Sequence, residues 1–295
     1  KTTTLKMIAE KCKDKRILFL AFNHSVKVEC ERKFPKNTSV YTVHGLAFKY
    51  YRALYPQASP KTWTLSIHTL EEHIDNFQFQ SKFGQRFKYM VKKRDILTYD
   101  DRRALLRMIS ILKSMYEDYL YSDIEDIKRY IEVSEHYESL LEIAQQYGMT
   151  DIDDVHEILQ QLFDLQVKNI IPVSHDVYLK WFANSISDIW RDKYDIVFLD
   201  EAQDSNAVTE HILEKMPVQK KVIVGDTHQK IYGFRKAVAV IDVWEADITL
   251  PLTVTWRCNA DVCERANRIL QLKGSEILLR LSSVARNTET KTTTA

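Results

Sequence analysis

Apolar residues along this chain fall in two rhythms. After Arg16, the stretch I-L-F-L-A-F to residue 22 is a short unbroken apolar run, the pattern of a strand buried on both faces of a sheet. Asp195 to Leu199 and Lys221 to Val224 read the same way, and shorter strand signals stand near Ser39 to Val43 and at Ile248 to Leu250. An amphipathic start over Lys1 to Glu10 and a polar and apolar mixture from Val26 to Phe34 predict helices around the first strand. Strand, helix and strand in succession predict a parallel sheet. From about Tyr50 to Asn169 strand signals vanish and a period of about 3.6 residues takes over, as in Leu105, Met108, Ile109, Leu112, Met115 and Tyr116. Gly148 ends one predicted helix, and Thr150, Asp153 and Asp154 offer capping groups for the next. Pro251 reads as a linker, a helix through Cys263 to Leu272 follows it, and the polar tail beyond reads as mobile. The pattern as a whole predicts an α/β fold with a parallel sheet and a large helical insertion.

Composition narrows the class without choosing a function. With 295 residues the chain has room for one large or two modest domains, and 45% hydrophobic with 28% charged residues is enough apolar content to build a core. Forty-two basic against 41 acidic side chains leave a formal charge of +1, so any nucleic-acid groove must arise from local placement of charge. The four cysteines, Cys12, Cys30, Cys258 and Cys263, make no C-x-x-C pair and no zinc spacing, and are read as reduced thiols of an intracellular protein. No apolar stretch approaches the ~20 residues needed to span a bilayer, so no membrane partner is expected.

The candidate chemistry lies where the strands end. In V-F-L-D-E-A-Q-D-S-N, residues 197–206, Asp200 and Glu201 fall at the carboxyl end of an apolar strand, where ligands bind in open α/β sheets. One carboxylate there can hold a magnesium ion while its neighbour polarises an attacking water. Lys1-Thr2-Thr3-Thr4 looks like the tail of a phosphate loop, G-x-x-x-x-G-K-[ST], cut immediately before its lysine. On that reading Lys1 reaches the β- and γ-phosphates, Thr2 gives its hydroxyl to magnesium, and the following helix points its N-terminus at the phosphates. The same four letters at residues 291–294 lie in the polar tail and are read as filler. A third cluster, V-I-V-G-D-T-H-Q-K-I-Y-G-F-R-K-A from Val222 to Ala237, again ends a buried strand in polar groups. Asp226 and Gln229 can hydrogen-bond a terminal phosphate, and Tyr232 and Phe234 offer flat faces on which bases stack.

These three clusters, in this order and spacing, resemble the UvrD/Rep-like superfamily 1 helicases. The segments L-A-F-N-H-S-V-K-V-E, Y-T-V-H-G-L-A-F and H-D-V-Y-L-K-W are similar to the F-box DNA helicase branch in particular. The resemblance covers residues 1–50, 175–240 and 250–270 and matches the helical middle only loosely. It implies a RecA-like P-loop NTPase sheet domain made of residues 1–50 and 170–250, a helical insertion at 51–169, and the start of a second motor domain at 251–295. It also implies ATP and Mg2+ as cofactors, and translocation along single-stranded DNA, usually 3′ to 5′, into duplex junctions. Lys1 and Thr2 then belong to the Mg-ATP phosphates, Asp200 to magnesium and Glu201 to the catalytic base. Gln203 and Gln229 sense the γ-phosphate, Asp226 and Arg235 join the nucleotide site, and Arg257 of L-x-x-T-W-R stabilises transition-state charge beside Trp256, which stacks on adenine. Phe22, Asn23, Thr42, His44, Tyr232 and Phe234 line the single-strand path. The sequence departs from the family pattern at His24, Gly45 and Lys236, where lysine, serine or alanine, and glycine are usual. The family's phosphate-loop glycines are expected before Lys1 and its later motifs after Ala295. Two other classes remain open: a regulatory module that binds ATP or single-stranded DNA without translocating, and an unrelated P-loop kinase or GTPase, against which Tyr232 and Phe234 weigh.

Overall fold

The computed structural model describes residues 1–58, 67–93, 98, 153–229, 241, 244–255, 258–274 and 280–281, with isolated positions between 103 and 113. The chain forms two compact units, one of residues 2–243 and one of Lys1 with residues 244–295.

The first unit is built on a sheet of four parallel strands in the order β2-β1-β3-β4: β1 is Ile17–Ala21, β2 Thr38–Thr42, β3 Ile196–Leu199 and β4 Lys220–Ile223. Every residue of β1 and β3 is buried, as a strand covered on both faces requires, whereas edge strand β2 buries only Val40 and edge strand β4 starts at the exposed Lys220. One face packs Phe19, Ala21, Ile196 and Phe198 with Val40 against Leu5 and Ala9 of helix α1 (Thr2–Lys11) and Cys30 of helix α2 (His24–Lys33). Phe19 meets Phe34 and Phe198 edge-on, at centroid distances of 4.8 and 6.4 Å. Removing either buried ring would cost about 3–5 kcal/mol.

Two features aim this frame at a ligand. β1 leads to β2 on one side of itself and pairs with β3 on the other, so the strand order reverses between β1 and β3, the switch point at which open α/β sheets bind ligands. The far end of α1 is fixed by Asn37, whose Nδ2 donates to the carbonyls of Ala9, Cys12 and Lys15 at 3.3, 2.8 and 3.0 Å. Ala9 lies in the last turn of α1, where carbonyls lack partners within the helix, and the side-chain amide joins it and the two carbonyls beyond the helix to the start of β2. Thr2, at the other end of α1, is thereby held over the sheet.

Between β2 and β3 the described elements are all helical: α3 (Val43–Leu54), α4 (Ile67–His73), α5 (Lys82–Lys92), α6 (Asp153–Val167) and α7 (His175–Ile189). α7 packs against α3 and against α8 (Ala207–Lys215), which connects β3 to β4. Leu105, Met108, Leu112, Met115, Tyr116, Gly148 and Thr150 lie outside the described residues. Ile109 is described and fully buried, and Asp153 opens α6.

In the second unit, strand β5 (Val254–Thr255) pairs in parallel with β6 (Arg280–Leu281), and helix α9 (Ala260–Leu272) begins at an Asn259 cap that accepts from the Val262 amide at 3.1 Å. The strand expected at Ile248 to Leu250 is not formed. Ile248 and Leu250 are 75% and 78% exposed, and pairing begins three residues beyond Pro251, which lacks the amide a ladder needs. All four cysteines are free thiols. Among the described residues no helix is long and apolar enough to cross a membrane.

Candidate functional site

The carboxyl edge of the sheet gathers the chemistry. Asp200 follows β3 directly, is 2% exposed, and receives the hydroxyl of Thr2 at 2.7 Å on Oδ2, across 198 positions of sequence. Its Oδ1 accepts the Glu201 amide at 3.0 Å, and its own amide donates to Leu20 at the end of β1. Burial and the Asp200 charge push the neighbouring Cys30 thiol up to about 11, so it stays protonated behind the site.

Glu201 stands in the left-handed region, at φ 52° and ψ 45°. A residue with a β-carbon adopts that conformation at a cost of about 1–2 kcal/mol, and such strain concentrates at functional sites. The turn is held by the Ala202 amide, which donates to Val224 at the end of β4 at 3.0 Å. Gln203, 2% exposed, donates from Nε2 to Glu201 Oε2 at 2.8 Å and to Asp204 Oδ2 at 3.3 Å, and accepts the Asp226 amide on Oε1 at 3.0 Å. A β-carbon on Gly225 would fall 2.8 Å from that oxygen, so the close approach of the β4 end to Gln203 requires glycine. Beyond it, Asp226 accepts the His228 amide and the side-chain amide of Gln229, bracing a short 3-10 turn at Thr227–Gln229.

The residues expected on the nucleic-acid side leave the same edge from β1 and β2. Phe22 follows β1 and is 39% exposed, enough for its ring to meet a base. Asn23 caps α2 by accepting the Val26 amide at 2.9 Å, and Thr42, paired in register with Ala21, caps α3 by accepting the Gly45 amide at 3.0 Å. At Gly45 a β-carbon would lie 2.9 Å from the Thr42 hydroxyl oxygen, and the glycine leaves that cap uncrowded. His44 is exposed, its ring 6.4 Å from His175 and 6.3 Å from Tyr178, both on α7. Its hydrogen bond to Asp176 holds that carboxyl below its usual range. His175 Nδ1 and the buried Tyr178 hydroxyl share a hydrogen bond of 2.8 Å.

Thr2, Asp200, Glu201, Gln203 and Asp226 thus converge within the first unit, with Gln229 one turn away. Lys1 precedes Thr2 in sequence. Tyr232, Phe234, Arg235, Trp256 and Arg257 lie outside the described residues. Two participants were not singled out from sequence. Asp176, the partner of His44, lies inside the H-D-V-Y-L-K-W segment, and Gly225 lies between the β4 strand and Asp226, where a glycine at a strand end is itself a sign of close backbone approach.

Residues 2–242 match the UvrD/REP helicase N-terminal domain. The chain belongs to that family. Over 293 residues it is 28% identical to F-box DNA helicase protein 1 of Schizosaccharomyces pombe, an alignment covering 95% of this chain and 30% of that protein. It is 27% identical over 244 residues to F-box DNA helicase 1 of Gallus gallus, covering 81% and 22% of the two. An ATP-dependent helicase/nuclease of a Thermoanaerobacter species is 28% identical over 143 residues, 44% of this chain and 11% of that one. The chain spans less than a third of the length of each of these three relatives.

Proposed function

We propose that this chain carries the catalytic edge of an ATP-hydrolysing DNA helicase motor that works on single-stranded DNA and at duplex junctions. The observation that carries the reading is the 2.7 Å bond from Thr2 to Asp200, which brings a helix N-terminus and the acid at the end of β3 to one point. Names among the relatives, DNA helicase and ATP-dependent helicase, supply the substrate classes.

The donor set fits magnesium. Thr2 and Asp200 offer hard oxygens, and among the described residues no cluster of three or more histidines, cysteines or carboxylates forms an all-protein cage. Magnesium is usually held by one or two carboxylates with substrate phosphates and waters completing its shell. When bound, magnesium with ATP supplies a polarised terminal phosphoryl group. Thr2 and Asp200 would hold the ion, Lys1 would offset phosphate charge, and Glu201 would take a proton from the attacking water. Asp226 and Gln229 contact the phosphate from the end of β4, with Arg235, Arg257 and Trp256 assigned to the nucleotide by the family pattern. Phe22, Asn23, Thr42 and His44 would face the DNA path, to which the family pattern also assigns Tyr232 and Phe234, and stacking there tolerates any base.

DNA-stimulated ATP hydrolysis by the natural full-length protein tests this. Glu201→Gln is expected to slow turnover by roughly 100-fold or more. Unchanged turnover removes Glu201 as the base.

A further inference from the structure

We infer that Gln203 is a positioning residue: it holds the Glu201 carboxylate in place and latches it to the β4 end through the Asp226 amide. The inference rests on Glu201 being the catalytic base, and it adds how that base is aimed.

The orientation of the Gln203 amide follows from its surroundings. Nε2 faces two carboxylates, on Glu201 and Asp204, and Oε1 faces a backbone amide proton. Reversing the amide would set its oxygen against both carboxylates and its NH2 against a donor, leaving every one of these bonds unmade. Both ends of the group are therefore committed within the protein, and the side chain is 2% exposed. A side chain so enclosed acts on a phosphate through its neighbours. Its first neighbour is the glutamate on strained left-handed backbone, whose carboxylate needs a lateral restraint to point at a water. Its second is the backbone at Asp226, the residue that braces the turn ending at Gln229.

Gly225 belongs to the same device. A β-carbon there would stand 2.8 Å from Gln203 Oε1 and 3.2 Å from the Gln203 amide nitrogen, both inside contact distance, so any side chain at 225 pushes the latch open. The Gln203 side-chain amide thus adds a second link between the ends of β3 and β4, beside the backbone bond from Ala202 to Val224. Movement of the Asp226–Gln229 turn is transmitted to the base without a contact between Gln203 and nucleotide.

The test uses the natural full-length protein with MgATP and single-stranded DNA, comparing Gln203→Glu, Gln203→Met, Gly225→Ala and Glu201→Gln. Gln203→Glu keeps size and the acceptor for Asp226 but turns a carboxylate toward Glu201, so it carries the test even where Gln203→Met folds poorly. The expected signature is a fall in kcat of about tenfold to a hundredfold for both Gln203 variants, the effect of losing a hydrogen bond to a charged group. The ratio of ATP to ADP affinity stays within about twofold of wild type, since no contact with nucleotide is lost. Gly225→Ala lowers kcat in the same sense. Wild-type kcat in Gln203→Glu would overturn the inference, as would a collapse of the ATP to ADP affinity ratio, which marks direct phosphate contact. Full turnover in Glu201→Gln removes the base reading itself and this inference with it, and that arm separates the two failures.

Discussion

Glu157 and Glu201 are both half-buried glutamates, and the molecule treats them in opposite ways. Glu157, on α6, accepts the amides of Gln80 and Ser81 and the Ser81 hydroxyl at 2.5, 3.1 and 2.6 Å, closing the N-terminus of α5, where a negative charge is favoured by the helix dipole. A β-carbon on Gly84 would come within 2.8 Å of that carboxylate, so the two helices meet with no room for a ligand. Glu201 instead sits on left-handed backbone next to the buried Asp200, its carboxylate accepting from Gln203, with a hydroxyl-bearing helix end above the same edge. A carboxylate surrounded by structural donors fastens two elements together. One carried on a strained turn at a strand end, next to a buried aspartate, is suited to a cation and a water. Burial alone therefore does not distinguish a structural acid from a chemical one; the backbone that carries it and the charge beside it do.

The comparison breaks most visibly at turnover: Glu201→Gln should cost roughly 100-fold or more in ATP hydrolysis, whereas Glu157→Gln should leave it within about twofold. A steady-state assay with single-stranded DNA reads both. Stability should respond in the reverse sense. Removing the Glu157 carboxylate by Glu157→Ala leaves the Gln80 and Ser81 amides, at the entry to α5, without this acceptor and is expected to cost about 1–3 kcal/mol in denaturant unfolding. Glu201→Gly should cost less stability than Glu157→Ala, because glycine accepts the left-handed conformation without strain and so offsets part of the lost Gln203 hydrogen bond, while abolishing hydrolysis. The smallest effect is on pH. Burial raises the Glu157 carboxyl, but its three hydrogen bonds outweigh that and hold it below its ordinary value of 4.5. Its folded-state value lies under its unfolded one, so its stabilisation is complete above about pH 4.5 and is lost as pH falls through the lower folded value. The stability difference between wild type and Glu157→Gln should therefore shrink on acidification from about pH 6 to pH 3.

How far the sequence disclosed this arrangement differs from element to element. β1 and β3 were legible because strands buried on both faces must be apolar throughout, and Asp200 and Glu201 stood out by interrupting such a run. The meeting of Thr2 with Asp200 was legible as well, because a lysine–threonine pair at a helix start and an acidic strand end make sense together. Ile248 and Leu250 misled: with Leu252 and Val254 they alternate with polar or proline positions as a strand would, yet Pro251 interrupts the ladder and all four are exposed. The left-handed turn at Glu201 and the fit of Gly225 against Gln203 were hidden, since both depend on how two strand ends approach in space. The His44–Asp176 bond joins residues 132 positions apart through the packing of α3 on α7, and no local pattern encodes such a pairing.

The most direct test of the account is a crystal structure of the natural protein with a non-hydrolysable ATP analogue and Mn2+ in place of magnesium. An anomalous manganese peak is expected within coordination reach of Thr2 Oγ1 and Asp200, with the terminal phosphate facing Glu201. A triphosphate and metal bound away from the carboxyl ends of β1 and β3 would contradict it.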